Sequence, residues 1–269
     1  MPIIGLIREN GILQKTDDVM DEVIQNGECD GYPITLLNRA LSDWPKREPT
    51  ASQIAGSSWR RTVLEALVDY YIRMDNQLPL LRGSLIHGGF ETFPVPNGVK
   101  VVREKRMRVR VPGQDVMLSG QIDLYIPGTC FLIDYKTASQ VPNLIKADHI
   151  NQLAIYLWLL RWTALPVAKA GIAYMTWDNC QIVTRADLGQ GRVGEVIDHP
   201  LLLDDGVFIE FVMEGYRVLA DGFSNCVVPS MRQCDLRWCR YCSVKWACDA
   251  IEANGERIRP EDYNQELYQ

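Results

Sequence analysis

Two acids and a lysine sit where their types and spacing could do chemistry. Asp123 lies in Gly120-Gln121-Ile122-Asp123-Leu124, and Asp134 and Lys136 lie in Phe131-Leu132-Ile133-Asp134-Tyr135-Lys136. Both runs are apolar and β-type, and a carboxylate there is expensive to bury unless it is paired or binds a cation. Residues 134 and 136 are two apart, so on a strand they project from one face. If the two runs pair across the turn at Pro127-Gly128, Asp123 reaches the same patch. Two hard oxygen ligands beside an ammonium suit Mg2+ or Mn2+. Such a cation lowers the pKa of a water and neutralises charge developing on a phosphodiester, while Lys136 orients that water or steadies the transition state. Asp-Xaa-Lys alone is a common tripeptide, so its meaning depends on the motifs around it.

The second constellation is soft. Cys234, Cys239, Cys242 and Cys248, four of the eight cysteines, fall within fifteen residues. Thiolates at such spacing take zinc or an iron-sulphur cluster. The N-terminal run lacks the length and basic leader of an export signal, and no stretch approaches ~18 uninterrupted apolar residues. The expectation is a soluble, cytoplasmic protein with no membrane span, in which clustered cysteines bind metal. Cys29, Cys130, Cys180 and Cys226 read as ordinary small residues, with Cys29 or Cys226 as substitutes for Cys234.

A formal charge of -6 offers no global attraction to a polyanion, so nucleic acid would have to be held by local basic patches and bound cations. Arg106, Arg108 and Arg110 recur at period two and would line one strand face, with Arg103 and Lys105 on the other. That stripe is either a track for a phosphate backbone or a solvated sheet face.

Periodicity supplies the elements that must position these groups. A short helix is expected over 17–25, before Gly27. Thr50-Ala51-Ser52-Gln53 has capping-box spacing and introduces helical material running through Trp59-Arg60-Arg61 towards Arg73, and a further helix spans 83–92. The period then changes: 99–111, 116–126 and 131–136 read as consecutive strands separated by Pro112-Gly113 and Pro127-Gly128. Residues 148–162 form an amphipathic helix with an apolar stripe of Ile150, Leu153, Ile155, Leu157 and Leu160. Strands over 170–177 and 181–185 and a long helix near 207–221 follow. This order predicts an α/β layer fold with helices over the sheet. The domain reading is an N-terminal extension over 1–49, a core over 50–225 and a Cys-rich segment over 226–269 packing on that core.

Five motifs occur in order: Arg82-Gly83-Ser84-Leu85-Ile86-His87 with Glu91 beyond, Gly120-Gln121-Ile122-Asp123, Asp134-Tyr135-Lys136, Gln152-Leu153-Ala154-Ile155-Tyr156, and Cys239-Arg240-Tyr241-Cys242 with Cys248. Together they resemble the RecB-like branch of the PD-(D/E)XK nuclease superfamily, particularly the CRISPR-associated and AddB-type iron-sulphur exonucleases. The resemblance covers roughly residues 50–250. It implies a restriction-endonuclease-like core, a mixed β-sheet flanked by helices, with a Cys-rich C-terminal metal-binding segment. It also implies catalytic roles for Asp123, Asp134 and Lys136, and a metal shell completed by His87 and the backbone carbonyl of Tyr135. Gln152 and Tyr156 would line the site and contact the nucleic-acid strand, with Arg60 and Arg61 as further contacts; Glu91, four residues beyond His87, could face the same centre. Cys234, Cys239, Cys242 and Cys248 would hold a four-iron cluster, with Zn2+ as the alternative. One departure is plain: the family's first cluster cysteine lies upstream in a Cys-Pro-Arg context, and Ser57-Ser58-Trp59-Arg60 here carries serine, so Cys234 stands in as fourth ligand.

The expected activity is Mg2+- or Mn2+-dependent hydrolysis of DNA, at ends or on single strands, by a homo-oligomer or a member of a larger DNA-processing complex. The rivals are a catalytically silent nucleic-acid-binding subunit of a repair, recombination or CRISPR-type complex, and a structural zinc protein whose acids are incidental.

Overall fold

The computed structural model describes residues 3–42, 48–56, 58–113, 116–143, 145–176, 180–184, 205–234, 236, 239 and 242–251. The chain divides into two compact units that interleave along it: residues 1–48, 57–82 and 217–269 in one, 49–56 and 83–216 in the other. The expected boundaries at 49/50 and 225/226 run consecutively instead.

The elements in chain order are β1 (Ile3–Ile7), β2 (Leu13–Lys15), α1 (Thr16–Asn26), β3 (Glu28–Cys29), β4 (Tyr32–Pro33), α2 (Ile34–Leu41), α3 (Ala51–Ala55), α4 (Trp59–Leu67), β5 (Tyr70–Ile72) and α5 (Met74–Thr92). They continue with β6 (Val102–Arg110), β7 (Met117–Ile126), β8 (Phe131–Thr137), α6 (Ala147–Trp162), β9 (Lys169–Met175), β10 (Cys180–Thr184), α7 (Asp205–Asn225) and α8 (Lys245–Ala250).

In the first unit, β1 pairs antiparallel with β2 and parallel with β5. Helix α1 buries Val19 and Val23 on one face and stops where Gly27 takes φ 82° and its N–H donates to Val23 O at 2.7 Å, a left-handed cap that glycine adopts at no steric cost. The helical material expected to run on towards Arg73 is broken twice. Gly56 is extended (φ -66°, ψ 152°) and ends α3, and Tyr70–Ile72 is a buried strand, as its β-prone residues favour. Leu6, Val19, Leu37, Leu64 and Ile72 share one apolar core with Val228, Val244 and Ala247 from the C-terminal part of the chain.

The second unit is a five-stranded mixed sheet in the order β10-β9-β8-β7-β6. Strands β6, β7 and β8 are antiparallel neighbours, β8 and β9 are parallel with α6 as crossover, and β10 returns antiparallel. This is the expected mixed sheet flanked by helices. The capping box at Thr50 and Gln53 forms at the start of α3. Helix α6 departs from the expected single stripe: Leu153, Ala154, Ile155, Tyr156, Trp158, Leu159 and Leu160 are all buried, because the helix packs against α3 as well as β6, β7 and β9. Sheet and helix approach closely at Gly120, where a Cβ would lie 2.9 Å from both Leu159 Cδ1 and Tyr156 Cε1. Helix α5 begins at Met74, earlier than expected, and accommodates Pro79 at the loss of one backbone hydrogen bond. Trp177 and Arg185, the ends of two expected strands, lie outside the described residues. Among the described residues no helix is long and apolar enough to cross a membrane.

Candidate active site and cysteine segment

The β6–β7 hairpin closes with Val111 N–H donating to Val116 O at 2.9 Å. Seven residues back along each strand from that pair, Glu104 faces Asp123, between the pairs Arg103↔Leu124 and Lys105↔Ile122. Glu104 has φ 44°, a left-handed conformation that costs a residue with a side chain about 1–2 kcal/mol. Helix α5 brings in His87, whose Nδ1 lies 3.2 Å from Glu104 Oε1 and 3.5 Å from Asp123 Oδ1. The helix is anchored there by Phe90, stacked on Tyr135 with centroids 4.6 Å apart. Arg103 also donates to the Glu91 and Phe93 carbonyls at 3.1 and 2.6 Å. One ligand atom each from His87, Glu104 and Asp123 thus gathers within 4.8 Å. Glu91, the acid expected beside His87, is exposed; Glu104 takes that place. Its signal was the Pro112-Gly113 turn, since closing 111 on 116 puts 104 opposite 123.

Asp134 is 2 % exposed. Lys136 Nζ is 2.6 Å from its Oδ2 as an ion pair, yet neither carboxylate oxygen accepts a hydrogen bond of good geometry. Buried carboxylates are normally satisfied by donors. Asp123 Oδ2 accepts the Tyr135 N–H at 2.6 Å. Its carboxyl is nevertheless pushed up to about 8, first by burial and then by Asp134, against the pull of Lys136 and that N–H. Two buried acids acting on one another, one without a hydrogen bond on its oxygens and one whose carboxyl burial pushes up, fit a divalent cation: carboxylate oxygens dominate the donor set, with one imidazole beside them.

Gln152 Nε2 donates to Tyr156 Oη at 2.7 Å, and burial, then Asp134 and Asp123, push the Tyr156 phenol upward. Tyr156 is only 4 % exposed, so of the expected pair Gln152, half-buried, is the one open to a strand. Tyr174 sits opposite Lys136 in the β8–β9 register, and its hydroxyl meets His149 Nδ1 at 2.7 Å. Burial and then Lys136 push His149 down to about 4, which keeps it neutral at physiological pH. Sequence reading singled out neither residue. Arg106, Arg108 and Arg110 are exposed while the intervening Met107 is buried. The stripe joins the site through Gln121, which accepts from Arg106 at 3.2 Å and donates to Glu104 Oε2 at 2.8 Å.

In the other unit, Cys234, Cys239, Cys242 and Cys248 are half-buried free thiols. Burial, then the neighbouring Cys239 and Cys248 sulfurs, push the Cys234 thiol up. Burial takes Cys242 to about 11, with Cys234 adding to the shift. Cys234 lies within electrostatic reach of Cys239, Cys242 and Cys248, and soft sulfurs are the donors that zinc or an iron-sulphur cluster takes, although among the described residues no three of these sulfurs lie within 4.8 Å of one another. Arg61 is half-buried and its Nε donates to Glu65 at 2.7 Å. Arg60 is wholly buried. It donates to Cys248 Sγ at 3.1 Å, to Pro229 O at 2.6 Å and to Cys248 O at 3.4 Å. The nucleic-acid contact expected of Arg60 is therefore corrected: its guanidinium is enclosed against the cysteine segment and closed to a phosphate. Ser57, Arg240 and Tyr241 of the expected motifs lie outside the described residues.

A sequence-family model described as the PD-(D/E)XK nuclease superfamily matches residues 17–249. No curated protein sequence matches the chain. Among solved structures, that of SSO0001 is similar at 19 % identity and TM-score 0.48, over 80 % of this chain and 93 % of the other. A phage-related exonuclease from Haemophilus somnus 129PT is similar at 16 % identity and TM-score 0.38, over 66 % of this chain and 94 % of the other.

Proposed function

The chain belongs to the PD-(D/E)XK nuclease superfamily, and from that premise we propose that it is a Mg2+- or Mn2+-dependent deoxyribonuclease of the RecB-like branch, acting at ends or on single strands. The observation that carries the reading is Asp134: a carboxylate 2 % exposed, without a hydrogen bond on either oxygen, paired with Lys136 and beside a second buried acid.

His87, Glu104, Asp123, Asp134 and the Tyr135 carbonyl would hold the cation. The chemistry a divalent cation supplies at such a site is a lowered pKa for water and neutralisation of charge on the phosphoryl oxygens. Lys136, half-buried beside Asp134, orients the attacking water and offsets negative charge that grows in the transition state. The Tyr135 N–H holds Asp123 in place. Tyr156 fixes the Gln152 side chain, which lies against the strand. His149, pushed down by burial and then by Lys136, adds no positive charge beside that lysine. Arg106, Arg108 and Arg110 carry the phosphate backbone away from Glu104. Cys234, Cys239, Cys242 and Cys248 hold a four-iron cluster, with Zn2+ as the alternative. The preference for ends and single strands rests on the family resemblance of the motifs.

Cleavage of end-labelled single- and double-stranded DNA in Mn2+, Mg2+ or EDTA, with Asp134→Ala and Lys136→Ala beside wild type, tests the reading. Metal-dependent cutting of DNA that both folded variants lose is expected. A folded wild type that cuts nothing, or variants that cut equally well, would turn the reading towards a binding subunit.

A further inference from the structure

Among the described residues Arg60 is one of the largest fully buried side chains, with Tyr125 and Tyr174. A guanidinium removed from water is strongly disfavoured unless an anion meets it. Two other arginines of this unit do meet carboxylates: Arg8 pairs with Glu22 and Asp30, and Arg61 with Glu65. Arg60 does not. Among the described residues its guanidinium meets two carbonyl oxygens and the sulfur of Cys248, 188 residues away in sequence. A neutral thiol is a weak acceptor that carries no charge, whereas a metal-bound cysteine sulfur is a thiolate. A metal-loaded cysteine segment would have the opposite deficit, because four thiolates around a dication leave about two net negative charges.

We propose that Arg60 is a positioning residue of the cysteine centre, its guanidinium braced on the Pro229 carbonyl so that it holds the Cys248 sulfur for the metal and offsets the charge of the thiolate set. The inference rests on the reading that Cys234, Cys239, Cys242 and Cys248 hold a metal. Helix α4 presents the arginine and the C-terminal segment presents the sulfur, so this contact ties two distant stretches of chain to the metal's retention. Hydrogen bonds to ligand atoms characteristically orient them and tune the centre they bind.

The test uses the full chain purified without oxygen, as wild type and Arg60→Met. Iron and zinc per chain, the rate of metal loss to a chelator, and thermal midpoints of the loaded and stripped forms are measured. Arg60→Met is expected to lose metal about 10–100-fold faster. Its loaded form melts lower than wild type, but its stripped form does not, because stripped wild type buries a cation that no described carboxylate meets. If the metal is an iron cluster, its reduction potential falls in the variant through loss of a donor and a positive charge. Where Arg60→Met does not fold, Arg60→Lys serves for the same comparison, since the ammonium cannot reproduce the fork. Equal metal retention in loaded wild type and variant overturns the proposal for Arg60 alone, as does an equal fall of the loaded and stripped midpoints, the mark of ordinary packing. A wild type that carries neither iron nor zinc overturns the metal reading and this proposal together. The nuclease assay at Asp134 is independent of every one of these outcomes.

Discussion

The acid centre and the cysteine segment are mirror images in charge. One buries a carboxylate, Asp134, whose oxygens accept no hydrogen bond; the other buries a guanidinium, Arg60, that no described carboxylate meets. Both hold titratable groups on the protonated side of neutrality, Asp123 near 8 and Cys242 near 11, with burial as the leading cause. Each set of protons occupies donors that suit a cation, hard oxygens in one place and soft sulfurs in the other. The difference lies in construction. The acid centre is drawn from one continuous stretch, 87–136, and its geometry follows from a hairpin register. The cysteine segment depends on α4, far away in sequence.

The comparison breaks most sharply if the two centres share one metal function. Asp134→Asn is expected to lower cleavage by about 10³-fold, the scale for losing a preorganised charged group, while iron and zinc content stay unchanged. Cys248→Ser should do the reverse to metal content. Activity assays paired with metal analysis of both variants decide it, and loss of cluster metal in Asp134→Asn would sink the idea of separate centres.

A smaller effect is expected at Glu104. If it is a ligand, Glu104→Gln raises the Mn2+ concentration for half-maximal cleavage at least about 10-fold, whereas Glu91→Gln leaves it unchanged; a metal titration of the two variants separates them.

The last effect is on stability. The folded pKa of Asp123, about 8, lies above its unfolded value near ~3.9. Its contribution to stability is therefore complete below that unfolded value and is lost as pH rises through the folded one. In EDTA the thermal midpoint should fall as pH rises from about 4 to about 8, by roughly 2–4 °C for each kcal/mol lost. Asp123→Asn should flatten that slope, and Mn2+ should raise the midpoint most at the alkaline end. Thermal melts at several pH values read this directly, and parallel slopes for wild type and Asp123→Asn would remove Asp123 as the cause.

Much of the acid centre was legible because alternation and turns specify a hairpin locally. Asp123, Asp134 and Lys136 fall on the predicted strands, and His87 on the predicted helix. Glu104 was legible in principle, through the closing pair 111 and 116, but it stands among five basic residues within 103–110 and a local reading takes it for one more surface charge. Strand β5 was missed because three residues have no period, and only pairing with β1 makes them a strand. Tyr174 and His149 were missed because their meeting depends on the parallel register of β9 against β8 and on where α6 crosses.

Sequence by itself determined the residue types, the hairpin spacing that aligns the acids, and the clustering of four sulfurs near the C-terminus, because each depends on neighbours within a few tens of residues. Burial was decided by tertiary structure alone. Arg60 reads as a contact for phosphate until the fold encloses it, Tyr156 is enclosed where the motif resemblance implies a strand contact, and Asp134 is legible as a metal ligand while its lack of hydrogen-bond donors is not. Desolvation sums over everything packed around a group, and most of what surrounds these three comes from distant parts of the chain.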